Sequence, residues 1–176
     1  VTGSFLIFPA MAGLAAIAEP LVILLLTEKW LAVVPFLQIF CAVYALIPIH
    51  TANLQAINAL GRSDIFLKLE ILKKVVGLSM LAVTIPIGIY AMALGMVVTG
   101  IIGTLINAYP NKLLLSYSFT EQWRDLMPAL ILSLIMCGVT YGVLFLSLSA
   151  LATLVLQIVV GVVVYLGLAW VVGLES

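Results

Sequence analysis

Charge is the scarcest thing in this sequence. Only 8% of its 176 residues are Asp, Glu, Lys or Arg, and there is one histidine. That scarcity excludes the functions that need clustered ionisable groups. No glycine-rich phosphate loop, H-E-x-x-H, G-x-S-x-G or same-face carboxylate pair occurs, which argues against an enzyme and against nucleotide hydrolysis. His50 has no nucleophile or ligand partner at a recognised spacing, so neither a cofactor nor a metal is expected. Cys41 and Cys137 lie inside apolar runs without a C-x-x-C pattern, as small buried hydrophobes do. The formal net charge of zero gives nucleic acid nothing to bind.

What fills the sequence is hydrocarbon: 65% of residues are hydrophobic. A soluble chain of this length has no way to hide so much apolar surface, so the bilayer is its solvent. A span takes about 20 mostly apolar residues. Six are read: 3–26, 34–59, 69–87, 91–107, 127–146 and 151–172. Strand alternation is absent. The predicted fold is therefore all-α, one polytopic bundle of six transmembrane helices with short connections over 1–176. The opening Val-Thr-Gly-Ser, without Met or leader, leads us to expect the C-terminal portion of a longer protein.

The basic residues are sorted. Arg62, Lys68, Lys73 and Lys74 lie at or just beyond the second loop, and Lys112 and Arg124 in the fourth, against Lys29 alone on the other side. By the positive-inside rule, loops 61–68 and 110–126 and both termini face the cytoplasm. Trp30, Tyr90, Tyr109, Tyr117 and Trp123 fall near predicted interfaces. Asp64 with Lys68 and Glu70 with Lys74 have helix-supporting i, i+4 order. From Ser118 to Leu126 the chain reads as an interfacial lead-in, with Thr120 as a cap and Glu121 and Asp125 facing out.

Polar groups at membrane depth carry the most information. His50, Thr51, Asn53, Gln55 and Asn58 follow Pro48 in the second span. Thr51, Gln55 and Asn58 share one face, continued by Arg62 if the helix persists through Gly61; His50 and Asn53 share the adjoining one. Taken alone, Asn53 and Thr51 read as interhelical glue. The whole set reads as the lining of a cavity for a polar or anionic headgroup. His50 is also a candidate proton-coupling group. Glu19, before the helix-kinking Pro20, is either an ion or proton site or an interfacial residue. Ala91, Gly95, Thr99, Gly103 and Asn107 form a small-residue stripe for close helix packing, and Gly138 and Gly142 a shorter one. Pro86 and Gly88 mark a sharp turn.

The order Pro9, Gly13, Glu19-Pro20, aliphatic run, Glu28-Lys29-Trp30, then Ala59-Leu60-Gly61-Arg62 and Ile85-Pro86-Ile87-Gly88-Ile89, resembles the polysaccharide flippases of the multidrug/oligosaccharidyl-lipid/polysaccharide exporter superfamily. Two positions depart from it: Thr27 stands where members often have Gly, and Tyr90 where they tend to have a small residue. The resemblance implies a two-lobed parent, with this chain supplying most of the second lobe. It implies flipping of lipid-linked (polyprenyl diphosphate) oligosaccharide across the bacterial cytoplasmic membrane, for surface polysaccharide or lipopolysaccharide biosynthesis, by alternating access against an N-terminal lobe. Arg62, Lys73 and Lys74 would attract the diphosphate, or else only set topology. The alternatives are a drug/cation antiporter of the same superfamily, resting on Glu19, and a non-transporting membrane scaffold.

Overall fold

A computed structural model describes residues 2–115, 119–146 and 148–172. It is all-α, with no strand among the described residues. The helices are α1 (Thr2–Ala16), α2 (Ala18–Leu26), α3 (Val34–Ala45), α4 (Ile47–Ala59), α5 (Ser63–Thr84), α6 (Ile89–Leu115), α7 (Phe119–Gly142) and α8 (Ala150–Val172), with 3-10 turns at Glu28–Val33 and Val143–Leu146.

Four stretches are long and apolar enough to cross a membrane: Glu28–Ala59, Ile89–Asn111, Thr120–Leu146 and Ala150–Val171. The pair α1 and α2, bent by 63°, makes a fifth if it is one broken span. The predicted span 69–87 is helical as far as Thr84 and is not among these stretches, since Glu70, Lys73 and Lys74 all fall within it. The packing is inverted relative to a soluble protein. The largest fully buried side chains are Ile57, Gln157, Asn107, Asn111, Thr104, Thr140 and Ser133, all polar but one, while Leu78, Val83, Val163, Trp170 and Val171 are more than 60% exposed. Polar groups inside and hydrocarbon outside is the arrangement that lipid requires. The chain is a multi-pass membrane protein.

The chain divides into two compact units, residues 1–42 with 126–176, and residues 43–125. In the first, α8 packs on α1 and α2. Its core is Leu132, Met136, Tyr165 and Ala169, flanked by Phe5, Ala12, Val164 and Leu168. The Phe5 and Tyr165 rings sit 5.2 Å apart, and the Tyr165 hydroxyl donates to the Phe5 carbonyl at 2.7 Å.

In the second unit, α6 packs along α5 and α4. The small-residue stripe makes this possible. A Cβ on Gly95 would meet Met80 Cγ at 3.1 Å and Thr84 Cγ2 at 3.2 Å, and one on Gly103 would meet His50 Cε1 at 3.0 Å. Gly138 and Gly142 do not act this way, since a Cβ on either meets nothing within 4 Å. The turn at Pro86 is as expected: α5 stops at Thr84, Gly88 adopts φ +129°, and α6 begins at Ile89.

Proline behaves less uniformly than its breaker reputation suggests. Pro20 cannot donate to Ala16, and α1 gives way to α2 at Ile17, inside the turn that precedes it. Pro48 in the first turn of α4 likewise ends α3 at Ala45. Pro110, expected to open a loop, lies inside α6, which runs on to Leu115. The turn beyond Pro110 is held from outside, by the hydrogen bonds that Asn111 donates to Asn53. α7 likewise starts at Phe119 rather than Met127, with Glu121 and Asp125 exposed as expected and Thr120 already within the helix. Of the anticipated interfacial rings, Trp30, Tyr90 and Tyr109 are exposed. Tyr117, Ser118 and the C-terminal Leu174-Glu175-Ser176 lie outside the described residues, as does the side chain of Lys112.

Thr27, after α2, takes φ 77° and ψ 166°, the one non-glycine positive φ among the described residues. Such a conformation costs a β-branched residue on the order of 1–3 kcal/mol. Thr27→Gly should therefore stabilise the full-length protein by about 1 kcal/mol after the added unfolded-state entropy of glycine, read as a higher thermal midpoint in detergent; a lower midpoint would contradict the strain. A second pair of variants separates the two glycine stripes. Gly103→Ala pushes on His50 and should destabilise by about 1–3 kcal/mol, whereas Gly138→Ala should be neutral or stabilising by up to about 1 kcal/mol.

Candidate functional site

Pro48 sets the register of α4 by restarting the helix after Leu46. From that start His50, Asn53 and Ile57 turn toward the interior, while Thr51, Gln55 and Asn58 turn outward and are exposed. The helix ends at Ala59 in a glycine stop. Gly61 N–H donates to Asn58 O at 2.9 Å, Arg62 N–H reaches Ile57 O at 3.3 Å, and Gly61 adopts φ +69°. The outer stripe therefore stops at Asn58, and Arg62 leads into α5 instead of extending it.

The inner face is fully engaged. His50 Nε2 lies 3.2 Å from Gly100 O and 3.1 Å from Thr104 Oγ1, and the Thr104 hydroxyl itself donates to Gly100 O at 3.0 Å. Asn107 Nδ2 donates to His50 Nδ1 at 3.0 Å. Asn111 Nδ2 donates to both the backbone and side-chain oxygens of Asn53, at 3.1 and 2.7 Å, and Asn53 Nδ2 donates to Gln122 Oε1 at 3.0 Å. Asn107, Asn111 and Gln122 belong to α6 and α7, and all three are buried. These two clusters, His50 with Gly100, Thr104 and Asn107, and Asn53 with Asn111 and Gln122, tie α4 to two later helices. The glue expected of Asn53 is present; Thr51 plays no part in it.

The outer face is the opposite. Thr51, Gln55 and Asn58 make no side-chain hydrogen bond among the described residues. The set read as one polar sector is thus two, one bonded and one open.

The charged residues pair differently from the i, i+4 expectation. Arg62 Nε and Nη2 donate to the two oxygens of Asp64, at 3.0 and 3.1 Å. This forked contact holds the exposed Asp64 carboxyl at about 2, well below the usual carboxylate range. A depressed acid is lost from its pair only as pH falls through that value, so Arg62 keeps its partner near neutrality. Arg62 is thus ion-paired in the structure, at an exposed position. Lys73 pairs with Glu70 rather than leaving Glu70 to Lys74. Its chain packs on Gly103 beside His50, which explains the preference.

Glu19 is exposed in the first turn of α2, with Pro20 buried behind it. The bend there is sealed by two amides that sequence reading did not single out. Gln38 Nε2 donates to Ala15 O at 3.2 Å. Gln157 Nε2, wholly buried, reaches Thr140 O at 3.1 Å and Ala16 O at 3.4 Å. Ala16 O is the carbonyl that Pro20 leaves without a helical donor. The signal was present in the sequence as lone Gln residues in two apolar spans, each needing a partner. Gln157 also borders a cavity of about 540 Å³, together with Phe5, Pro9, Gly13, Met136 and Tyr165. Among the described residues no three His, Cys, Asp or Glu side chains converge as metal ligands, and Cys41 and Cys137 are free thiols.

No family model and no solved structure matches the chain. Two curated relatives do. The chain is 27% identical over 164 residues to the teichuronic acid biosynthesis protein TuaB of Bacillus subtilis, covering 90% of this chain and 34% of TuaB. It is 26% identical over 172 residues to an uncharacterized membrane protein in the cps region of Klebsiella pneumoniae, covering 93% of this chain and 34% of that protein. The chain spans about a third of the length of these relatives.

The two faces of α4 predict opposite responses. Asn53→Leu removes the shorter of the two bonds from Asn111, which keeps the Asn53 carbonyl, and leaves the Gln122 acceptor buried and unpaired, at about 1–3 kcal/mol. Gln55→Leu strands nothing and should leave stability within about 0.5 kcal/mol of wild type. Thermal midpoints of the two full-length variants check this; equal losses would show that the outer face is packed as well.

Proposed function

We propose that this chain is part of a membrane transporter in polysaccharide biosynthesis, one that moves lipid-linked oligosaccharide repeat units across the bacterial cytoplasmic membrane by alternating access. The observation that carries the reading is the open polar face of α4. Thr51, Gln55 and Asn58 lie in a stretch apolar enough to span the bilayer, yet among the described residues their side chains have no hydrogen-bond partner. Amides facing lipid are costly. That face is therefore met by water and a polar cargo, or by the rest of the full-length protein across a cavity.

The similarity to TuaB, whose name places it in teichuronic acid biosynthesis, supplies the cargo class. In this reading an N-terminal lobe, in the roughly two thirds of the relatives' length that lies beyond this match, closes the other side of the cavity. The chain does no covalent chemistry, and the loops around Arg62 and Lys112 face the cytoplasm with both ends of the chain. A scaffold would be expected to bond Gln55 and Asn58 to neighbouring helices. A drug/cation antiporter would need acids in the cavity, and the open α4 face of Thr51, Gln55 and Asn58 carries none.

The test is the leaflet position of the lipid-linked precursor. Cells lacking the full-length gene should accumulate it on the inner leaflet and lose surface polysaccharide. Gln55→Leu with Asn58→Leu should cut translocation about tenfold or more at unchanged protein level. Normal export in the deletion strain, with no compensating homologue, rejects the proposal.

A further inference from the structure

The His50 cluster has the composition of a proton-binding site. We infer that His50 takes up and releases a proton at Nδ1, and that the Asn107 amide turns over to follow it.

The hydrogen bonds define the resting state. Gly100 O can only accept, so Nε2 carries the hydrogen and donates to it, at 3.2 Å. The Thr104 hydroxyl is committed to the same carbonyl, which leaves its oxygen to accept from Nε2–H as well. Nδ1 accepts from Asn107 Nδ2 and so bears no hydrogen. The imidazole is neutral, with both nitrogens occupied.

A proton arriving at Nδ1 makes that atom a donor facing another donor. The remedy sits on the same side chain. Asn107 is fully buried and its Oδ1 has no hydrogen-bond partner. Asn111 Oδ1 and Gln122 Nε2 on the neighbouring amides are likewise unpaired, but Asn107 Oδ1 alone shares a side chain with the donor on His50. Turning the amide by half a turn presents Oδ1 to Nδ1–H and breaks no described bond other than the one being replaced. One N–H bond forms at Nδ1 and one O–H bond breaks in the hydronium that donates; release reverses both.

Few ionisable groups face the ring. α6 faces the ring with Gly100, Gly103, Thr104 and Asn107, none of them ionisable. α5 brings Lys73 close to the ring, together with the Glu70 carboxylate that is ion-paired with it. α7 enters the network through Gln122, which touches Asn53 and not His50. Glue alone would use any amide at position 50. Histidine adds a charge change near neutral pH.

That a proton here drives cargo movement rests on the transporter reading; proton binding itself does not, and its test uses no cargo. Full-length protein with 15N-labelled histidine is titrated from pH 5 to 10 by magnetic resonance, with the His50 signal identified by its loss in His50→Gln. If that variant does not accumulate, replacing any histidines outside this chain identifies the same signal. The His50 signal should pass from the neutral to the doubly protonated form within this range. Asn107→Asp, nearly the same size and acceptor-only when ionised, should move the midpoint up by about 1–3 pH units. A purely structural role would change the amount of folded protein and leave the midpoint where it was. A ring that stays neutral throughout, or an Asn107→Asp midpoint equal to wild type, overturns the proposal.

Discussion

Hydrocarbon offers no hydrogen bonds, and every feature of this chain follows from where its polar groups find partners instead. The requirement explains why the fully buried side chains are amides and hydroxyls while valines and leucines are exposed. It also explains how broken helices persist. The bend between α1 and α2 frees carbonyls at Ala15 and Ala16, and Gln38 and Gln157 arrive from α3 and α8 to take them. Replacing either glutamine by an apolar residue of similar size would gain hydrophobicity and lose the reason the bend is tolerated.

The same requirement divides α4. Its inner face meets it within the unit, through α6 and α7, and is thereby fixed in register with them. Its outer face does not meet it at all among the described residues. One helix thus combines a hydrogen-bonded face with an open one about a third of a turn away. A helix built only for packing would have put apolar residues at positions 51, 55 and 58.

Periodicity and cost made the α4 half of this site legible. Polar residues in a span are rare enough to be read one at a time, and 100° per residue separates His50 and Asn53 from Thr51, Gln55 and Asn58. The partners were not legible, because they lie 50 to 69 residues away. Asn107 was placed in a packing stripe, where it does lie, but its amide was not linked to His50. Asn111 and Gln122 were assigned to a loop because Pro110 looked like a stop; tertiary hydrogen bonds to Asn53 override that local signal. Arg62 was placed on the stripe by assuming a continuous helix, and Gly61 ends the helix first. Local rules failed where a long-range contact or a glycine turn outweighed them.

The position of α5 brings these strands together. Composition alone leaves it below the threshold for a span, on account of Glu70, Lys73 and Lys74. Yet it lies along α6, which passes that threshold: Met80 and Thr84 abut Gly95, and Lys73 abuts Gly103. Those two glycines are eight residues apart, or about 12 Å of helix. The paired charges of α5 therefore lie level with His50 and Asn107, while its stretch from Val75 to Thr84 runs beside the apolar part of α6. The second unit is layered, with one polar stratum holding the Glu70–Lys73 pair, His50 and the amide chain, and one hydrocarbon stratum ending at the uncharged Pro86–Gly88 turn. A lysine that would be prohibitive alone in lipid is acceptable here because its carboxylate and the amide-lined surroundings of His50 are built into the same layer.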